Sequence, residues 1–426
     1  MISSTASVAD QFIHNIKSPL GLLLLQIITI LSVSKLFGLL FSTFGQQTVV
    51  GEMIAGIFLG PSIIGVLFPA FSAFLFPKTS LPNLQFLSQI GLVLFMFIIG
   101  MELDIEKLKH KAHNALVISH ASIIFPYFLG VLSSYILYEQ FAPANVSFLS
   151  FSLFLGIAVS ITAFPVLARI LQERNMSKTA LGTMVLTCAA ADDVTAWCIL
   201  AVVVAIVKAG SVLSALFTIG LAVIFVIIMI YVVRPFVTKL SNNKKHNDTE
   251  TVNKTLMAIV FFILISAAYI AEIIGIHALF GAFLAGAIMP QKIKFRELLA
   301  DKIEDISVML LLPIFFAFTG LRTQIGLLSE GHLWAYCGLI IFIAVLGKLG
   351  GSSIAAKLVG YSWKDSFSIG TLMNTRGLME LIVLNIGYDL GILSPSIFAI
   401  MVLMALTTTF MTGPLLNLID YFDRKK

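Results

Sequence analysis

Long apolar runs, separated by short clusters of charge, glycine and proline, set the pattern of this chain. The runs are apolar on every side, without the period-two alternation of half-buried strands or the one-sided stripe of a surface helix, so they read as helices surrounded by apolar material. A helix needs about twenty residues to cross a bilayer core of roughly 30 Å. On that measure the pattern predicts thirteen helices, at about 19–41, 47–66, 84–101, 112–138, 146–171, 178–208, 211–240, 254–275, 277–290, 302–321, 331–358, 363–390 and 396–419. The expected fold is therefore an all-α membrane protein, with all of 1–426 forming a single transmembrane unit.

Composition supports this reading. Of 426 residues, 58% are hydrophobic and 12% charged, and the mean hydropathy is +1.00, far from the range of soluble domains. The opening stretch carries Asp10 and Lys17, and the apolar run behind it is too long for a signal peptide, so the first helix is expected to be retained. Only a short tail follows Asp420, and no soluble regulatory domain is expected. Cys188, Cys198 and Cys337 all lie in apolar runs and read as packing residues, not as a disulfide framework.

The net charge of +5 is explained by where the basic residues fall, and no nucleic-acid partner is implied. Alternate loops gather Lys107, Lys109, Lys111, Arg169, Arg174, Lys178, Arg234, Lys239, Lys244, Lys245, Lys254, Lys292, Lys294, Arg296, Lys302, Lys357, Lys364, Arg424, Lys425 and Lys426, while the opposite loops hold only Lys17, Lys78, Lys208 and Arg322. The positive-inside rule then predicts an N-terminus outside and a C-terminus in the cytoplasm.

Charges inside the runs mark the chemistry. Asp192 and Asp193 stand side by side in the sixth run, which carries no other charge between Lys178 and Lys208. An ionised carboxylate at mid-bilayer costs at least about 2.5 to 3.5 kcal/mol, so the pair must be matched, hydrated or protonated. Lys348 and Arg376, near the centres of the eleventh and twelfth runs, are the natural counter-charges. Glu380, one turn after Arg376, is an alternative partner for it. Lys35 is close enough to a helix end to snorkel, and Glu52 and Glu102 near helix ends are candidate pathway acids.

An internal repeat is also visible. Gly51 and Ala55-Gly56 recur as Gly281 and Ala285-Gly286, and LFMFIIGMELDI (94–105) is echoed by IFFAFTGLRTQI (314–325), with Gly100 matching Gly320. The copies begin seven helices apart and so must be inverted, with a first repeat at about 19–208, a linker helix at 211–240 and a second repeat at about 254–419. Each repeat has one interrupted helix. Ser160-Ile161-Thr162-Ala163-Phe164-Pro165 breaks the fifth and Asn374-Thr375-Arg376-Gly377 the twelfth, freeing carbonyls and hydroxyls that can bind a cation.

GEMIAGIFLGPS (51–62), GMELD (100–104), SITAFP (160–165), AADDVTAW (190–197), GKLGG (347–351) and NTRGLMELIVLNIG (374–387), in this order, resemble the monovalent cation:proton antiporters. Within them the chain is most similar to the second cation:proton antiporter family, which includes Kef-type membrane domains and plant cation/proton exchangers. The resemblance covers essentially the whole chain. It implies the thirteen-helix sodium/proton antiporter fold, in which two broken helices cross, and a homodimer. The dimerisation domain would take in about 19–66 and 211–290, and a mobile core domain about 84–208 and 302–419. It implies that Asp193 binds the cation and exchanges it for protons, that Asp192 pairs with Lys348, and that Ser160 and Thr162 lie beside the ion.

Neighbouring residues on a helix point about 100° apart, so the two aspartates must meet different partners. Asp192 is accordingly expected on Lys348 and Asp193 on an open cavity, with Ser160, Thr162 and main-chain carbonyls completing an oxygen shell that suits Na⁺ or K⁺. The expected function is secondary transport by alternating access, with cation and proton competing for Asp193, no cofactor and no enzymatic step. A gated cation channel on the same scaffold is the alternative. A membrane enzyme holding a Mg²⁺-diphosphate is a remote one, since no second acidic cluster faces the first.

Overall fold

The computed structural model describes residues 15, 18–44, 46, 48–102, 112–209, 212–241, 254–290, 299 and 302–424. The regular elements among the described residues are helices, and eleven stretches of them are long and apolar enough to cross a membrane. Of the two remaining expected spans, 277–290 forms the shorter helix Ala278–Ala287, and 363–390 is divided into two short helices. Among the described residues, length and composition thus support eleven crossings where thirteen were expected. Many of the basic loop residues, among them Lys107, Lys109, Lys111, Lys244, Lys245, Lys292, Lys294 and Arg296, lie outside the described residues.

Two compact units are distinguished. The first comprises Met1–Leu92 and Asp305–Gly326. In it, α1 (Pro19–Thr43) begins at Ser18, whose hydroxyl accepts from Gly21 N–H, with Pro19 in the first turn where its missing donor is harmless. Next comes α2 (Thr48–Leu59), and α3 (Leu81–Glu102) contributes its first half. Gln26 on α1 donates to the Leu75 carbonyl at 2.6 Å and to Ser80 Oγ at 2.7 Å, so this buried amide ties down the segment between α2 and α3.

The second unit, Val93–Glu304 and Leu327–Lys426, holds the charged residues of mid-span. Its elements are α4 (Ala112–Phe141), α5 (Phe148–Ser160), α6 (Phe164–Glu173), α7 (Ala180–Ala209), α8 (Val212–Ile228), α9 (Lys254–Ile274) and α10 (Ala278–Ala287). With α11 (Leu312–Arg322) assigned to the first unit, the second continues through α12 (Gly331–Val345), α13 (Gly351–Leu358), α14 (Trp363–Met373), α15 (Leu378–Asp389) and α16 (Pro395–Arg424). A buried cluster including Ile118, Leu167, Leu171, Val185, Ala356, Ile369 and Leu372 binds α4, α6, α7, α13 and α14 together. The three cysteines are free; Cys188 and Cys337 are buried and Cys198 is exposed.

The repeated glycines make matching contacts. A Cβ on Gly51 would come 2.5 Å from the Phe37 carbonyl of α1, and one on Gly281 would strike the Ala267 carbonyl of α9. Gly56 of α2 abuts Phe316 and Gly320 of α11 within the first unit, just as Gly286 of α10 abuts Phe97 and Gly100 of α3 within the second. In each unit the short helix of one sequence copy thus packs on the phenylalanine-rich helix of the other copy. Small residues let these backbones touch.

Gly320→Ala is therefore expected to lower the thermal unfolding temperature in detergent, since overpacking a close contact costs about 1–3 kcal/mol. Gly220→Ala on α8, where nothing lies within 4 Å of the added methyl, should leave it unchanged or slightly raised. Equal behaviour of the two variants would count against this packing.

Candidate functional site

Both interrupted helices break where their sequences demand it. The fifth run stops as α5 at Ser160, passes through extended residues at Ile161 and Ala163, and restarts as α6 with Pro165 in the first turn. The twelfth stops as α14 at Met373 and restarts as α15 at Leu378. At Gly377 a side chain would come 2.8 Å from Val166 Cγ2, so the two breaks pack closely. They are also hydrogen-bonded, with Ala163 N–H donating to the Thr375 carbonyl at 3.1 Å.

Each break leaves a helix end in the interior, and two buried charges compensate them. The Arg376 guanidinium donates to the Val159 carbonyl and, at 3.3 Å, to the Ala158 carbonyl, capping the negative end of α5. Glu380 sits in the first turn of α15, at its positive end, and accepts from Arg376 at 2.9 Å. Of the two arrangements open to Arg376, the structure has this i,i+4 pair and not a bond to the aspartates. Thr409 of α16 completes the hold, accepting from Arg376 N–H at 3.2 Å and donating to its carbonyl at 2.6 Å.

The aspartates lie mid-way along α7, and both are buried. Asp192 meets Lys348 at 3.1 Å, the partnership expected for it. Its shell is larger than expected, because two serines of α4 take part. Ser119 donates to Oδ1 at 2.6 Å, Ser122 to Oδ2 at 2.7 Å, and Thr162 also to Oδ2 at 2.7 Å. Lys348 Nζ in turn donates to Ser122 Oγ at 2.8 Å and to Thr162 Oγ1, as well as to Asp192. All three ammonium donors are used, and the four bonds at Asp192 fill about the acceptor capacity of one carboxylate.

Local backbone makes this shell possible. Pro126, inside α4, has no N–H for the Ser122 carbonyl one turn earlier, which loosens the helix at the serine. Gly347 faces Pro126, where a Cβ would approach to 2.7 Å, so α4 and the segment carrying Lys348 come together closely. Lys348 itself lies in a widened π-helical turn, Leu346–Gly350.

Asp193 is 1% exposed, so an open cavity at this side chain, expected from the sequence, is not what the structure has. One turn further along α7, Trp197 stacks on Phe283 of α10 with centroids 6.2 Å apart. Ser160 is buried, and its hydroxyl donates to its own helix at the Ile157 carbonyl, 2.9 Å away. Glu52 is half-buried on α2 in the first unit, the Glu102 side chain lies outside the described residues, and Lys35 is exposed.

Sequence reasoning missed Ser119, Ser122 and Thr409. The signals were a serine pair at i, i+3 in the fourth run, and the threonine run 407–409 in the last helix. Hydroxyls satisfy themselves on helix carbonyls so often that neither pattern singles out a site by itself.

A family model described as the transmembrane sodium/hydrogen exchanger matches residues 28–419. The chain belongs to the sodium/hydrogen exchanger family. Among similar proteins is the Na(+)/H(+) antiporter NhaS4 of Synechocystis, 43% identical over 92% of this chain and 96% of its own length. Cation/H(+) antiporter 17 of Arabidopsis thaliana is 40% identical over 97% of this chain, and K(+)/H(+) antiporter 1 of Saccharomyces cerevisiae 33% identical over 98%. The matches cover 50% and 48% of those two proteins, so the chain spans about half their length. The sodium proton antiporter MjNhaP1 of Methanocaldococcus jannaschii shares the fold, with a TM-score of 0.66 at 13% identity over 91% of this chain and 94% of the other.

Within this exchanger the Arg376–Glu380 pair predicts its own test. Glu380→Ala should destabilise by about 3–5 kcal/mol, because it leaves a buried guanidinium uncompensated, while Arg376→Leu combined with Glu380→Leu should recover much of the loss. Additive losses in a double-mutant cycle, read by thermal unfolding, would show that the two side chains do not act together.

Proposed function

We propose that this antiporter exchanges a monovalent cation, Na⁺ or K⁺, for protons by alternating access, with Asp193 as the group for which they compete. The observation that carries this reading is the saturation of its neighbour. Asp192 accepts from Ser119, Ser122, Thr162 and Lys348, so it is held as a fixed anion and has little capacity left for an ion that comes and goes. The acid beside it, buried in the same helix and close in sequence register to the crossing, is then the exchanging one.

Competition follows from electrostatics. A buried carboxylate binds either a proton or a cation to avoid an uncompensated charge in a low-dielectric interior, and the two exclude one another. Protonated or cation-loaded, the site crosses easily; empty and charged, it crosses rarely. Oxygen donors for a hard monovalent ion are at hand in Thr162 and the main chain of the two breaks. Relatives named for Na⁺/H⁺ and for K⁺/H⁺ antiport both support this class of cargo and do not favour a channel.

The wider assembly follows the same reading. The protein is a homodimer held by a dimerisation domain of about 19–66 and 211–290, against which a core of about 84–208 and 302–419 moves. The N-terminus faces outward and the C-terminus the cytoplasm, as the distribution of basic residues supports.

In proteoliposomes carrying a pH-sensitive dye, Asp193→Asn should abolish cation-dependent proton flux, and flux at the wild-type rate would contradict its role. Lys348, if it releases and regains a proton in each cycle, makes exchange electrogenic. Lys348→Gln should then reduce the charge moved per cation in a membrane-potential assay, and unchanged charge movement would assign the lysine a structural part only.

A further inference from the structure

Trp197 is an unusual residue to bury in mid-span. It stands well inside α7, away from the headgroup levels where tryptophan collects in membrane proteins, and it is 3% exposed. Its indole N–H is enclosed and has no acceptor among the described residues. A buried indole usually finds one, and phenylalanine or leucine would fill apolar space without that cost. What Trp197 does have is a ring partner, Phe283 of α10, itself buried, with the two planes within 25° of one another.

The helix ends fix where this stack lies. Lys208, in the last turn of α7, meets Glu272, in the last turn of α9, at 3.8 Å, and both side chains are partly exposed. Glu272 also accepts from Ala278 N–H at 2.9 Å, so α10 starts at the same face of the second unit. From Asp193, α7 runs toward that face, and α10 runs away from it. Trp197 is four residues past Asp193, which places it on the same side of α7 and about 6 Å nearer the Lys208 face. Phe283, in the second turn of α10, meets it there. The two rings therefore stand between Asp193 and that face.

We propose that Trp197 and Phe283 are the barrier that closes Asp193 to the Lys208 face, and that the two rings part when a cation or proton enters or leaves from that side. This deepens, and rests on, the exchange reading above, in which Asp193 is reached from one side at a time. An ion is stopped at the stack because apolar ring atoms supply none of the oxygen ligands that replace its water. A stack also suits a barrier that opens repeatedly. Separating the rings breaks no hydrogen bond, and it gives the unpaired indole N–H access to an acceptor.

The test uses the full chain with Cys188, Cys198 and Cys337 replaced by alanine and a single thiol introduced by Asp193→Cys. A small, charged, membrane-impermeant methanethiosulfonate is applied to vesicles of each orientation, and Lys208→Cys identifies the orientation that presents the Lys208 face. From that face the Asp193→Cys thiol should react slowly while the stack is intact. Adding Trp197→Ala or Phe283→Ala should speed the reaction about tenfold or more, as when a rarely populated open form becomes common, with no change from the opposite face. Trp197→Phe, which keeps a ring and loses the unpaired N–H, should stay slow. So should Val185→Ala, which loosens the apolar cluster on the other side of Asp193 along α7. An unchanged rate in the alanine variants, an equal rise in Val185→Ala, or Trp197→Phe as fast as Trp197→Ala would overturn the proposal. Two alanine variants from opposite sides of the contact keep the test decisive if one of them does not fold. Because labelling does not depend on transport, it separates failure of the barrier from failure of the exchange reading. In the otherwise unaltered chain, Phe283→Ala should let the cation run down its gradient without a matching proton flux, and strictly coupled exchange in that variant would equally overturn the proposal.

Discussion

Asp192 and Lys348 form an ion pair in a part of the chain where neither charge could stand alone. Removing such charges from water costs several kcal/mol each, and their attraction offsets this only when the remaining donors and acceptors are also matched. Here they are. Three hydroxyls from two elements, Ser119 and Ser122 on α4 and Thr162 at the break, complete the carboxylate, and two of them also accept from the ammonium. This makes α4, α7, the α5–α6 break and the Lys348 turn a single polar knot. The proline in α4 and the glycine facing it serve the same end by bringing the two backbones close.

The second buried pair solves a different problem. Interrupting two helices inside the fold exposes carbonyls and N–H groups that lipid cannot satisfy. Arg376 and Glu380 sit at helix ends of the sign each can neutralise, and they also bond to one another. The pair therefore stabilises both helix ends at the breaks. On the proposed reading, the division of labour is between one pair that stabilises the breaks, one that holds Asp192 fixed, and a neighbouring acid left to exchange.

Much of this was legible in the sequence because charge in an apolar run is expensive. Asp192, Asp193, Lys348, Arg376 and Glu380 stand out for that reason alone, and the breaks around Pro165 and Gly377 follow from backbone chemistry. The glycine repeats could also be read, since only close contacts explain glycine at such spacing. Three things could not be read. Ser119, Ser122 and Thr409 look like ordinary helix hydroxyls until a charge is brought to them. The enclosure of Asp193 depends on tertiary packing. The number of full crossings depends on where apolar runs are cut, so Ala278–Ala287 and the divided 363–390 region fell short of the length that hydropathy suggested.

If a fixed Asp192 leaves Asp193 to trade one ligand for another, cation binding and proton release are a single event. The direct measurement is proton release on adding Na⁺ or K⁺ to purified protein in weakly buffered detergent solution, followed by a pH indicator alongside bound cation. The account predicts protons released in proportion to cation bound, falling to none in Asp193→Asn. Cation binding with no proton release in the unaltered protein would contradict it.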